Sequence, residues 1–212
     1  MRKDKLLMII GSMLLLLLFV FPLWKITLLA PQYPEPLGLN IHITHLSDGN
    51  QFNDVKNIDL LNHYIGMAHL PYKANVEKGV VDPFKEFVII PIVVVVLVIL
   101  GIIFGFIGNR KLYATWLGLL TVSGIVGMYD FYNWLYIYGH DLNPNAILKI
   151  TDKVTGEMMA YQPPIFGFKQ MLNFQVYSYP STAVYFIGLS FVFVVLALIM
   201  SSKNRLKKKT IN

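Results

Sequence analysis

The sequence predicts an α-helical membrane protein. We expect four transmembrane helices, both termini in the cytoplasm, and a small mixed α/β cap outside the membrane. Three observations carry this. Of 212 residues, 55% are hydrophobic and only 14% charged, against about 25% charged in an ordinary soluble domain. Mean hydropathy is +0.55. The apolar residues gather into four long runs, and most of the basic residues flank one set of their ends. This composition disfavours a water-soluble enzyme, and it is too apolar for a disordered tail. The chain has no cysteine, which excludes disulfides, thiolate metal sites and cysteine nucleophiles.

The first span is expected over 6–29, opening LLMIIGSMLLLLLFVFPLW. Its apolar run is longer than a signal-peptide core and no A-x-A site follows, so it reads as an uncleaved helix. The second span is 87–107, rich in Val and Ile. The third is 112–136, with an aromatic outer extension. The fourth is 182–201, followed by a basic tail, 202–212. Each run has about 18 or more residues, enough for the roughly 30 Å hydrocarbon core.

Charge sets the expected orientation. Arg2, Lys3, Lys5, Arg110, Lys111 and the five basic residues after helix four are offset by one acid, Asp4. The remainder of the chain carries eight basic residues and eleven acids. The positive-inside rule then places both termini in the cytoplasm of a bacterial inner membrane, with 30–86 and 137–181 outside. The net charge of +6 is mostly a topology signal, and KNRLKKK reads as a stop-transfer flank rather than a nucleic-acid site.

Within the outer segments, LGLNIHITHL (37–46) predicts a strand with Leu37, Leu39, Ile41 and Ile43 on one face. Ile58–Leu70 suggests a short amphipathic helix, and Asp82-Pro83 a helix start. Two strands joined by a turn at DKVTGE are expected within 146–162.

The cores of helices one, two and four hold no ionisable residue, and helix three only Asp130, about 27 Å along its axis from Leu112. A proton relay or an intramembrane haem generally needs such groups, or His and Met, facing the bundle interior. Gly101-x-x-x-Gly105 and Ser123-x-x-x-Gly127 allow close helix packing, foremost between helices two and three themselves. Tyr132, Tyr136 and His140 share a helix face in a region that reads as an interfacial aromatic belt. Asp130, Asn133 and His140 are expected to join the outer domain by hydrogen bonds.

All five histidines lie outside the spans: His42, His45, His63, His69 and His140. In NHYIGMAHL (62–70), Asp59, His63 and Met67 share a face if the segment is helical. If the helix ends near Gly66, Met67 and His69 can share a face of an extended segment. Imidazole and thioether without thiolate suit copper, Met favouring Cu(I). Loop histidines are more often surface or hydrogen-bonding residues, and methionines fill apolar gaps. Met158-Met159 form a second pair. No H-E-x-x-H, phosphate loop or nucleophile elbow is present, so no catalytic residue is assigned and an enzyme is the less favoured reading.

Four strings, LAPQYPEPLGL (29–39), LNHYIGM (61–67), YGHDLNPNA (138–146) and YQPPIFGFKQMLNF (161–174), resemble an uncharacterised four-helix membrane protein family. That family is associated with maturation clusters for nitrous-oxide reductase, a copper enzyme, in Bacteroidota-like bacteria. The resemblance implies an accessory factor in copper handling or copper-enzyme assembly. Its partners would be the bilayer and a membrane or periplasmic protein, such as a copper enzyme or chaperone. His63, Met67 and His69 are the primary candidate ligands, with His42, His45 and His140 as further ligands or hydrogen-bond partners. The alternative is a non-enzymatic anchoring or scaffold subunit. A quinone or lipid pocket under the cap is also compatible with the sequence.

Overall fold

The computed structural model describes residues 2–148, 151, 160–171 and 173–211, with the backbone alone for 203–211. Among the described residues, three helices are long and apolar enough to cross a membrane: α4 (Glu86–Ile107), α5 (Arg110–His140) and the Thr182–Ser202 part of α6 (Thr182–Ile211). Val88, Ile92, Val96, Ile99 and Ile103 of α4 are exposed. Their opposite face is also apolar, so α4 is hydrophobic all round, as a lipid-facing helix must be.

The first apolar run departs from expectation. It forms α1 (Lys3–Leu14), one stretch of 3-10 helix (Leu15–Phe19), and then strand β1 (Trp24–Leu29). A single helix over 6–29 is therefore wrong. Pro22 cannot donate to a helix and crowds the carbonyl four residues back. After it, Trp24, Ile26 and Thr27 favour a strand, whose hydrogen-bond partners come from the far end of the chain. At the other terminus, α6 stays helical to Ile211, so 202–211 continues the last helix rather than forming a separate tail.

α1 and the 3-10 stretch after it pack into the bundle through Met8 and Leu15, both fully buried. Gly101 and Gly105 of α4 lie so close to it that an added Cβ would overlap Ser12 and Ile9. This small-residue pair is thus used within the chain, against α1 rather than chiefly against α5. From α5, the Trp116 indole donates to Leu97 O at 2.8 Å. At the end of the bundle away from the sheet, Arg2 clasps Asp4 at 2.7 Å and reaches Gly108 O at 3.3 Å. Lys5 donates to Phe106 O at 2.6 Å. These cations satisfy carbonyls that the C-terminus of α4 leaves free.

Above the bundle sits a five-stranded antiparallel sheet in the order β3-β2-β1-β5-β4. It comprises β1, β2 (Leu37–Ile41), β3 (Leu46–Asp48), β4 (Gly167–Met171) and β5 (Phe174–Pro180). β2 bears out part of the 37–46 strand. β1 runs against β5 from Trp24↔Pro180 to Leu29↔Gln175 and against β2 from Trp24↔Ile41 to Leu28↔Leu37. Strand period puts Trp24, Ile26, Leu28, Leu37, Leu39 and Val176 on one face. That face packs on α2 (Asp54–Tyr64) and the end of α5, giving an apolar core separate from that of the bundle. Ile43, in the turn after β2, belongs to the bundle core instead and ties sheet to helices. A short α3 (Lys73–Glu77) follows α2.

Two aspartates hold the start of α2, Asp48 by accepting from its first backbone N–H groups and Asp54 by tying it to β2 and the preceding loop. Asp48 accepts from Asn53 N and Val55 N, and Asp54 from Gly38 N, Asn50 N and Gln51 N. Asp82 is not a cap: α4 begins at Glu86 without a side-chain cap. Phe84 instead turns its ring onto Phe87, Trp134 and Tyr138, which holds the chain before Glu86 out of the helix. Of the hairpin expected within 146–162, residues 149–150 and 152–159 lie outside the described residues, as do Met158 and Met159. Residues 146–148 and 160–162 are not strand. Among the described residues, the hairpin in this half of the cap is β4–β5.

Candidate functional site

α2 ends at Tyr64, and Gly66, with φ of 86°, takes the left-handed conformation that stops it. The chain after Gly66 is irregular and doubles back, bringing His69 onto α2. His63 and His69 stack with ring centroids 4.8 Å apart and 14° between planes. Asp59, one turn before His63, accepts from His69 Nδ1 at 3.0 Å. Its carboxylate also accepts from Leu70 N at 2.6 Å and Asn75 Nδ2 at 2.9 Å. Asp59 is thus buried and fully bonded, whereas the His69 side chain keeps 35% of its surface. An Nδ1–H given to Asp59 leaves the Nε2 lone pair of His69 free. The Tyr138 hydroxyl donates to His69 O at 2.9 Å, fixing this segment to α5.

Met67 goes elsewhere. It is buried in the cap core and faces a cavity rather than the open surface shared by His63 and His69. The other histidines form separate groups. His42 and His45 stack at 4.4 Å in the turn between β2 and β3. His42 Nε2 lies 3.1 Å from Ser47 Oγ, and Thr44 Oγ1 lies 2.8 Å from His45 Nδ1. Burial lowers the basicity of the His42 imidazole, and His45 adds to this. His140 stacks on Tyr136 at 4.0 Å and donates from Nδ1 to Tyr136 O at 2.9 Å. Its bonds are therefore to its own helix. The hydrogen bond from α5 to the His69 segment comes from Tyr138. Among the described residues, no cluster of three or more His, Asp or Glu is arranged to hold a metal ion.

A second feature lies inside the cap. Ile26, Leu39, Ile58, Met67, Leu135 and Val176 help line a cavity of about 80 Å³ whose wall is almost wholly apolar. Trp134 and Tyr161 also line it. Trp134 Nε1 and the Tyr161 hydroxyl are both buried and without a hydrogen-bond partner. Neither residue stands out as a site residue in the sequence, where Trp134 reads as interfacial belt. The available signal was Tyr161-Gln-Pro-Pro, whose prolines favour an extended segment. That segment is laid against the end of α5 by Tyr161 N donating to Gly139 O at 2.8 Å.

Compared with known proteins, the chain matches no family model, and no curated protein matches it.

Proposed function

We propose that this chain is a membrane accessory protein in copper handling or copper-enzyme assembly. In this reading it is held by four spans in a bacterial inner membrane, with both termini in the cytoplasm and the sheet-bearing cap outside. The α1 segment supports a fourth span. Its twelve α-helical residues and five 3-10 residues rise about 18 Å and about 10 Å, together nearly the roughly 30 Å of a hydrocarbon core. The basic collar of Arg2 and Lys5 lies at the opposite end of the bundle from the cap, as the positive-inside rule requires.

The observation that carries the copper reading is the Asp59–His69–His63 arrangement. A carboxylate behind an imidazole fixes its tautomer and ring orientation, the usual support of a metal-ligating histidine. The two rings are nearly parallel, so their in-plane lone pairs do not converge on one point. An ion held by both requires His63, exposed on α2, to rotate. That suits a shallow two-imidazole point that passes an ion on, rather than a closed structural site. The reading also carries forward the family resemblance described above, which no family match supports. Metal analysis of the purified protein is the test. One copper per chain is expected after loading, lost in His69→Ala and His63→Ala and retained in Met67→Leu. No stoichiometric copper in the wild type, under either reducing or oxidising conditions, would end this reading.

One observation favours the alternative of an anchoring or scaffold subunit. Thr121, Val122 and residues 124–129 of α5 are exposed, and a Cβ added at Gly118, Gly124 or Gly127 meets nothing within 4 Å. Glycines with open space on an exposed apolar stretch let another helix approach closely. A stoichiometric membrane partner that co-purifies with the wild type and is lost in Gly124→Ile and Gly127→Ile would support this alternative.

A further inference from the structure

We propose that the cap cavity is a binding site for the carbonyl-bearing end of a membrane lipid, a quinone ring or an acyl ester, held by hydrogen bonds from Tyr161 and Trp134.

The cavity measures about 80 Å³, several times the roughly 10–15 Å³ that one water needs by the same kind of measure. Its wall offers water few partners, and a water bound stably in a protein needs two to four, roughly. Yet two of its lining residues, Tyr161 and Trp134, carry a hydroxyl and an indole Nε1 that are buried and without a hydrogen-bond partner. A buried donor left unpaired costs about 1–3 kcal/mol. Indole N–H can only donate. Burial also pushes the Tyr161 phenol above its ordinary value, so it keeps its proton at neutral pH. An apolar occupant with one acceptor oxygen matches both the wall and the donors.

Position supports a lipid source. Trp134 is 24 residues along α5 from Arg110, about 36 Å at 1.5 Å per residue. With a hydrocarbon core of roughly 30 Å, that places the indole just beyond the core on the cap side. The layer there holds the ester carbonyls of lipids and is where indole rings prefer to sit. Trp134 also joins the Phe84, Phe131 and Tyr138 rings, so the cavity wall continues into an aromatic surface at that layer. This site is separate from the exposed edge of His63 and His69.

Titration calorimetry on the purified full-length chain in detergent tests the proposal with three probes. These are menadione for a quinone ring, methyl octanoate for an acyl ester, and n-octane as a chain without an acceptor. At least one carbonyl probe is expected to bind the wild type more tightly than n-octane. Tyr161→Phe should weaken that probe by roughly 2- to 10-fold, the worth of one hydrogen bond, and leave n-octane unchanged. Partition into micelles is the same for both proteins, so it cancels. Val176→Phe should fill the cavity and abolish binding of all three. A menadione response assigns the site to quinones, and a methyl octanoate response to acyl lipids. The proposal fails if neither carbonyl probe binds, if n-octane binds as tightly as both, or if Tyr161→Phe binds with wild-type affinity. Tyr161→Phe keeps the ring and so decides the matter even if Val176→Phe does not fold.

Discussion

Asp59 Oδ2 and His69 Nδ1 meet at 3.0 Å across ten residues of chain. The same carboxylate holds Leu70 N and Asn75 Nδ2, so it locks the whole turn after α2. Asp59→Asn sets an amide N–H₂ against at least one of these donors. We expect it to cost about 1–3 kcal/mol, read as a lowered unfolding midpoint in detergent. His69→Ala removes one partly exposed partner and should cost about 1 kcal/mol or less. Equal costs for the two variants would show that the buried bonds of Asp59 contribute nothing.

Asp54 is a second structural anchor. A single oxygen, Oδ2, accepts from Gly38 N at 2.9 Å, Asn50 N at 2.8 Å and Gln51 N at 2.7 Å, and the residue is 1% exposed. Asp54→Ala leaves the Gly38 N–H, in β2, buried without a partner. A loss of about 1–3 kcal/mol is expected, together with faster hydrogen exchange at Gly38. Unchanged exchange there would contradict the assignment.

Gly139 tests how the cavity wall is held. A Cβ there would overlap the backbone of Gln162, which cannot yield as a side-chain tip would. Gly139→Ala should displace residues 160–163 at a cost of about 1–3 kcal/mol and expose the chain near Tyr161 to limited proteolysis. Gly124→Ala meets open space and should change stability by about 0.5 kcal/mol or less. Similar behaviour of the two alanine variants would refute the contact.

His42 gives the cap an acid sensitivity of defined sign. Burial first, and His45 second, lower its basicity from the ordinary value of about 6.5. The unfolded chain therefore takes up a proton at a pH where the folded chain does not. The stability held in this way is fully present above about pH 6.5 and is lost as the pH falls through the folded-state value. Melting temperatures measured from pH 7.5 down to pH 5 should fall less steeply in His42→Gln than in the wild type. Identical slopes would remove His42 as the cause.

The proposed orientation can be checked without altering any native thiol, because the chain has no cysteine. Single cysteines at Lys56 and Ser47 should react with a membrane-impermeant maleimide added to the outside of cells or spheroplasts. Cysteines at Asn109 or Lys203 should react only after the membrane is opened. The reverse pattern would invert the topology.

What the sequence discloses depends on how local the physics is. α4, α5 and α6 are legible because an apolar run of membrane length answers to the bilayer alone. The end of α2 near Gly66 is legible as a conditional, since a glycine with positive φ stops a helix wherever it sits. β1 is not legible: Trp24–Leu29 continues an apolar run and becomes a strand only because β5 supplies its partners. Nor is the fate of Met67. Its spacing suits a ligand, but the apolar face of the sheet claims it for the core. The cavity is the least legible feature, since its lining comes from β1, β2, the α2 region, the end of α5 and residues 161–176.

The pairing of β1 with β5 bears on how the protein is made. Trp24 Nε1 finds its acceptor on Ser178, 154 residues later. During synthesis from the N-terminus, β1 emerges early and must wait with an open edge, a template for wrong pairing, until β5 follows. The strand that closes the sheet immediately precedes α6. Closure is thus a checkpoint on the whole chain: a product truncated before residue 174 would carry a bare edge and an unmatched indole, marks by which a protease or chaperone could recognise an unfinished molecule.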